Sequence, residues 1–393
     1  MANTLKFGNG EWYGKEGTIL AYNDLNSNYK PLPFNFSRAS KATVINKGGL
    51  IETVGSGQPR VDYKDDSKGA LLLEPSRTNL IPNSNNITTW NDAGMTTTLV
   101  NDLVNPSNVL GGTKLSQNSS GGYVWLSRTF TGNETFSAFV KKDSSNFARL
   151  YAANNTVYFD ISNGTIETEV GNDITDKSII NYGNGWFRIS MSVNSTAASY
   201  VRIYPASSGS SSSGTNSLFV YGAQLEAGSY ATSYIPTQGS IVTRNQDVCS
   251  QTVPDGVIGQ TEGTMFLDVD FDTLSDLNMF LSIRPNSSNK IEIYRDGNII
   301  YAETASSNSF NISKTNITVG RYKIAFAYSS GSSAMYINGV LIGSNAATFA
   351  FTSTLEEIYI NSRGTSFIEQ SNYNDLKLYN TRLSNNELAA LTT

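Results

Sequence analysis

Short runs of alternating apolar and polar residues, broken by Gly, Asn, Asp and Ser, fill most of this sequence. Residues 123–130 and 135–141 repeat with period two, the period of a strand with one buried face. The run 158–161 leads to Asn163-Gly164, a pair suited to a tight hairpin whose two central residues need positive φ. Residues 186–193, 200–204 and 218–225 repeat the pattern. Further on, 290–295 alternates, turns at Asp296-Gly297 and resumes as 298–301. Tyr322, Ile324, Phe326 and Tyr328 share one side of a strand, with Lys323, Ala325 and Ala327 on the other. Residues 335–337 turn at Asn338-Gly339 into 340–342, and strands at 358–360 and 376–379 follow. Burying such a face contributes roughly 1.5–3 kcal/mol per large side chain, so each becomes the core face of a sheet. One helix is predicted at the end, where Ser384 and Glu387 stand at capping-box spacing. Many short strands at this spacing predict an all-β protein built of sandwiches.

The pattern changes along the chain in three stretches. Residues 1–82 have little regular period and open with aromatics and glycines, which predicts an extended arm rather than a domain. Such an arm would order on a partner through aromatic anchors, here Phe7, Trp12 and Tyr13. The alternative is a hairpin belonging to the next domain. Residues 83–250 predict a jelly roll and 256–393 a second sandwich. The expected fold is thus all-β, an N-terminal extended arm followed by two β-sandwich (jelly-roll) domains. The Ser-rich stretch 207–214 predicts a mobile exposed loop.

Composition narrows the chemistry. Only 16% of the 393 residues are charged, and the net charge of −5 argues against a nucleic-acid backbone or an anionic membrane surface as partner. With no histidine, the Ser-His-Asp and Cys-His nucleophiles and His-ligated zinc are excluded. The single Cys249 forms neither an internal disulfide nor a zinc cluster. No stretch approaches the ~20 apolar residues that span a bilayer, and residues 1–7 lack the apolar core of a secretory signal. The expectation is a soluble protein made in a cytoplasm, with no cofactor.

Two blocks carry a family resemblance. The first is Phe36-Ser37-Arg38-Ala39-Ser40 with Lys41-Ala42-Thr43, then Pro59-Arg60-Val61-Asp62-Tyr63 and Leu72-Leu73-Glu74-Pro75-Ser76-Arg77-Thr78-Asn79. The second is Tyr221-Gly222-Ala223-Gln224-Leu225-Glu226-Ala227-Gly228 with Ala231-Thr232-Ser233-Tyr234-Ile235-Pro236-Thr237. They resemble the opening and closing blocks of phage virion proteins and bracket residues 34–249. The resemblance implies a carbohydrate-binding-module-like jelly roll on a head or tail appendage. Residues 256–393 resemble concanavalin A-like, laminin-G-type sandwiches through 322–328, the hairpin around Asn338-Gly339, and Asn374–Tyr379 with the capped helix. Many such relatives bind calcium and sugars, but no carboxylate cluster here matches.

Several side chains are candidates for chemistry. Asp268, Asp270 and Asp272 alternate on one strand, as do Glu167 and Glu169; a solvated face is the simpler reading, and no catalytic or metal-binding residue is assigned. A pyranose has an apolar face and a polar edge, so it asks for exposed aromatic platforms. The candidates for glycan binding are Trp90, in an Asn/Thr-rich loop, with Trp125 and Tyr204; Tyr123 is a further option, and Trp186 reads as core. Arg38, Arg60 and Arg77 are expected to fork with Asp62, Asp65 and Glu74 as structural ties.

The resulting expectation is a non-enzymatic bacteriophage virion protein, a head fibre or capsid-decorating appendage on the particle surface. Its partners would be capsid or other virion proteins and host or mucosal glycans, and it would form a homotrimer. The alternatives are a tail fibre or receptor-binding protein, a glycan-degrading tail enzyme, and a secreted bacterial lectin or adhesin.

Overall fold

The computed structural model describes residues 4–23, 30–275 and 277–393. Particle attachment is expected in the opening segment Leu5–Asp24, and Asp24 lies outside the described residues. The chain forms two compact units: residues 1–41, 54–76 and 245–393 make unit 1, and residues 42–53 and 77–244 make unit 2. Both are β-sandwiches, and Asn385–Thr392 is the α-helix among the described residues.

The stretch expected to be an arm is instead strand. Ile19 and Ala21 of Thr18–Asn23, and Leu32, Phe34 and Phe36 of Lys30–Ser37, alternate into the core of unit 1. Lys30–Ser37 pairs with Thr18–Asn23 and, over Asn35–Ser37, with Val248–Thr252. From there the ladder continues through Glu357–Ile360, Asn278–Asn286, Asn289–Asp296, Ile299–Ala305 and Phe310–Lys314. A second run links Arg60–Asp62, Ala70–Leu73, Ser371–Tyr379, Glu262–Phe271, Gly320–Ser329, Ser333–Ile337 and Val340–Asn345. Leu5–Gly8 pairs along Ser371–Tyr379 and touches Thr18–Asn23 at Lys6, joining the two runs. Residues 256–393 therefore do not make a sandwich alone, because the first 37 residues supply strands of it.

Ile324, Phe326 and Tyr328 face this core, while Ala325 and Ala327 lie under the C-terminal helix with Leu383 and Leu388. The small side chains on that second face leave room for the helix to pack. Ser384 accepts from Glu387 N and the Glu387 carboxylate accepts from Ser384 N, completing the predicted capping box.

Unit 2 has two six-stranded sheets. One runs Met95–Val104, Leu110–Gln117, Ser217–Ala227, Gly132–Lys142, Trp186–Ser195, Ile174–Asn181. The other runs Asn91–Ala93, Tyr123–Thr129, Ala198–Ala206, Phe147–Ala152, Asn155–Asp160, Thr165–Val170. Phe136, Ile189 and Leu115 of the first meet Val124, Ile203 and Leu150 of the second in the core.

Candidate functional site

The second sheet of unit 2 has a core face and an outer face, and strict alternation decides which residue goes where. In Ala198–Ala206, Val201 and Ile203 turn inward, leaving Tyr200, Arg202 and Tyr204 outward. In Phe147–Ala152, Ala148 and Leu150 turn inward, leaving Arg149 and Tyr151 outward. The registers Trp125↔Arg202, Ser127↔Tyr200, Arg202↔Tyr151, Tyr204↔Arg149 and Arg149↔Tyr158 set these side chains beside one another. Asn91, on the edge strand, pairs with Trp125 and adds an exposed amide.

The result is a lattice of rings and guanidinium groups. Trp125 meets Tyr200 edge to face at 4.9 Å, and Tyr123 meets Tyr204 at 4.9 Å. Arg202 lies 4.6 Å from the Tyr123 ring, 4.4 Å from Tyr151 and 4.9 Å from Tyr200. Arg149 lies 4.2 Å from the Tyr204 ring and 5.4 Å from Tyr158. Such stacking holds flat groups in fixed places at little conformational cost. Burial pushes the Tyr204 phenol above its ordinary range, so it stays neutral and accepts from Arg202 Nη1 at 3.1 Å. Toward one end of the strands the face dips into a concavity of about 280 Å³ lined by Ser127, Thr129, Ala198 and Tyr200 among others. Trp125 is partly buried and Tyr200 is 37% exposed, so both present some ring surface to solvent.

The Ser-rich stretch 207–214, expected as a mobile loop, is tied down beside this sheet. Ser207 N donates to Ser211 O at 2.9 Å, and Gln117 Nε2 and Gly121 N both donate to Ser212 O. Thr168 N donates to Gly209 O, which holds the loop against the edge strand.

The structure sorts the expected site residues unevenly. Trp125, Tyr204 and Tyr123 come together on the face, with Trp125 presented and Tyr204 supporting it at 3% exposure. Trp90 does not join them. It is 6% exposed and packs 6.3 Å from Phe136, because it precedes the outward Asn91 and alternation turns it inward. Trp186 is core as expected, its Nε1 donating to Val104 O at 2.9 Å. In unit 1, Phe7 is 1% exposed and Trp12 stands edge-on to it at 5.7 Å, its Nε1 donating to the carbonyls of Lys68 and Gly69. These two rings are committed to the unit's own packing and cannot reach a partner without breaking it. Tyr13 is 55% exposed.

Arg149, Tyr151, Tyr200 and Arg202 were not expected at a site. The signal was present as Phe147-Ala148-Arg149-Leu150-Tyr151 and Tyr200-Val201-Arg202-Ile203-Tyr204, where aromatic and arginine residues alternate with apolar ones on two neighbouring strands.

The acidic residues of unit 1 are otherwise engaged. Arg321 grips Asp268 through Nε at 2.6 Å and Nη2 at 2.8 Å, and reaches Asp66 at 2.8 Å. Asp270 lines a small cleft with Asp62, Asp65 and Asp66. Burial pushes Asp62 up to about 6, and burial with the charges of Asp272 and Asp65 does the same for Asp270. Among the described residues no group of three or more His, Cys, Asp or Glu is placed to hold a metal ion. Glu169 pairs with Lys177, and Glu167 accepts from Thr165 Oγ1 at 2.7 Å. Of the expected forks, Arg60–Glu74 forms at 2.6 Å, while Arg38 and Arg60 both bind Asp247 instead of Asp62 or Asp65. Arg77 lies over the Tyr230 ring at 5.4 Å.

No protein-family model and no curated protein matches the sequence. Solved structures with local likeness include the CBM40 of a Ruminococcus gnavus IT-sialidase bound to α2,3-sialyllactose. It is 15% identical over 34% of this chain and 83% of that one, with a TM-score of 0.31. Two structures of the botulinum neurotoxin type G binding domain are also similar. One is 15% identical over 37% of this chain and 41% of its own, with a TM-score of 0.29. The other is 13% identical over 63% and 50%, with a TM-score of 0.32. At these scores the likeness carries no argument about fold or function.

Proposed function

We propose that this chain is a non-enzymatic bacteriophage virion protein, a head fibre or capsid-decorating appendage, whose unit 2 holds glycans on its outer aromatic face. The observation that carries the glycan reading is the ring surface that Trp125 and Tyr200 present beside Asn91, with Ser127 and Tyr200 lining the concavity next to it. A sugar ring stacks its apolar face on such a platform and turns its hydroxyls to the amide, hydroxyl and guanidinium groups around it. The opening and closing blocks, which resemble those of phage particle proteins, support the particle context. Weak sites repeated over many copies, such as the three of a trimer, give retention on a glycan-covered surface without high single-site affinity. Because Phe7 and Trp12 serve the core of unit 1, attachment to capsid or other virion proteins is proposed to use Tyr13 and the surface around it.

Immunogold electron microscopy of intact particles, with antibody raised against unit 1 residues 256–393, tests the particle reading. Label around the head supports the capsid-fibre form. Label confined to the tail tip replaces it with a tail fibre or receptor-binding protein, and unlabelled particles overturn it.

A further inference from the structure

The outer face of unit 2 carries the guanidinium groups of Arg149 and Arg202, with no ion-pair partner for either among the described residues. Arg202 and Arg149 lie among tyrosine rings, and neither meets a carboxylate among the described residues. Each makes one hydrogen bond to protein there: Arg149 Nη2 to Thr156 Oγ1 at 3.0 Å, and Arg202 Nη1 to Tyr204 OH at 3.1 Å. The Nε atoms of both are buried without a partner. Most of their donor capacity is therefore unspent within the protein, while the rings restrict their motion.

The acids nearest in the ladder do not offset them. Asp160 is saturated by Ser162 N, Asn163 N and Asn163 Nδ2, which hold its carboxyl below the usual range despite the opposing effect of burial. Glu167 is turned to Thr165 Oγ1. Arg38, Arg60, Arg128, Arg321 and Arg363 bind carboxylates, whereas the buried Arg188, over the Phe139 ring, spends its Nη donors on Thr232 O and Ser137 Oγ. In a chain of net charge −5, two arginines without counter-ions on one aromatic face are an anion-seeking arrangement.

We infer that this face selects an anionic saccharide, one bearing a carboxylate or sulfate, with the sugar ring on Trp125 and the anionic group turned to Arg202 and Arg149. The register supports the division of labour, because Trp125 lies directly opposite Arg202 and Arg202 directly opposite Tyr151. This inference rests on the glycan-binding reading and names its ligand class.

The test is calorimetric titration of the full chain with three matched probes. These are an oligosaccharide carrying a uronic or sialic acid, the same compound after reduction of its carboxyl to the alcohol, and a sulfated analogue. The expected result is binding of the carboxylated or the sulfated probe at least tenfold tighter than the neutral one. That preference should shrink severalfold between low and high salt, as an exposed charge contact is screened. Which acidic probe binds better tells the two sources of negative charge apart. Arg202→Gln should remove the preference for the acidic probes over the neutral one, and the salt dependence of the unaltered chain gives an independent readout should that variant misfold. Equal binding of neutral and acidic probes overturns the inference and leaves the glycan reading standing. Binding of none of the probes overturns both.

Discussion

The Arg38 guanidinium donates from Nη1 to Asp247 Oδ1 at 2.9 Å across 209 residues of sequence, with both side chains wholly buried. The other oxygen of Asp247 binds Arg60 and accepts from Glu74 N, while Arg60 also binds Glu74. One carboxylate thus joins three separate parts of unit 1, and its two arginines have no route to water. Removing one partner of such a cluster leaves uncompensated buried charge.

Asp247→Asn keeps the shape and removes the charge. It should destabilise unit 1 by about 3–5 kcal/mol, read as a lowered midpoint in urea unfolding. An unchanged midpoint would mean the cluster is not the tie described here.

Asp62 gives a pH signature of opposite sign to a salt-bridged carboxylate. Its folded pKa of about 6 lies above the ordinary 3.8, so the folded state binds more protons than the unfolded state between those values. Stability from this group therefore rises as pH falls from about 6 toward 4, and its ionisation costs stability above that window. Asp62→Asn should raise the stability of unit 1 by about 1–2 kcal/mol at pH 7 and by little near pH 4. Equal effects at both pH values would show that burial does not hold this carboxyl in its neutral form.

Trp90 and Trp125 separate packing from presentation. Trp90→Ala opens a hole in the core of unit 2 and should cost about 3–5 kcal/mol. Trp125→Ala removes a partly buried ring from the outer face, not the core, and should cost less, about 1 kcal/mol. Differential scanning calorimetry of the two variants checks the order, and a reversed order would put Trp125 in the core role.

Much of this architecture was legible. Ile324, Phe326 and Tyr328 face the core of unit 1 as their period predicts, and Asn338-Gly339 makes the two-residue hairpin with φ of 48° and 81°. Asn163-Gly164 does not form the same turn. Gly164 has φ of 74° and Gly164 N closes back on Asp160 O, a longer loop that the Asp160 side chain organises. The dipeptide names the bend, but the neighbouring aspartate decides its length. Lys30–Ser37 was obscured by Pro31 and Pro33, which normally argue against a strand. They are tolerated because pairing with Val248–Thr252 begins only at Asn35. The partner of Arg38 and Arg60 was hidden for another reason: Asp247 lies far along the chain, and only the closed sheet brings it near. Trp90 was misplaced because a polar loop composition says nothing of which side of the next strand its last residue takes.

The C-terminal helix tests a local device. Ser384→Ala removes the hydroxyl that accepts from Glu387 N, leaving the backbone half of the capping box, and should cost about 1 kcal/mol, seen as faster amide exchange over residues 385–392 than in the unaltered chain. Unchanged exchange would show that the packing of Leu388 holds the helix without its cap.

The central claim is that the outer face of unit 2 binds glycans through Trp125. Its most direct measurement is retention of the purified chain on immobilised mucin glycans, compared with Trp125→Ala at matched thermal stability. The account predicts that the unaltered chain is retained and that the variant loses affinity roughly tenfold or more, about 1.4 kcal/mol. Equal retention of both proteins, or retention of neither, would contradict it.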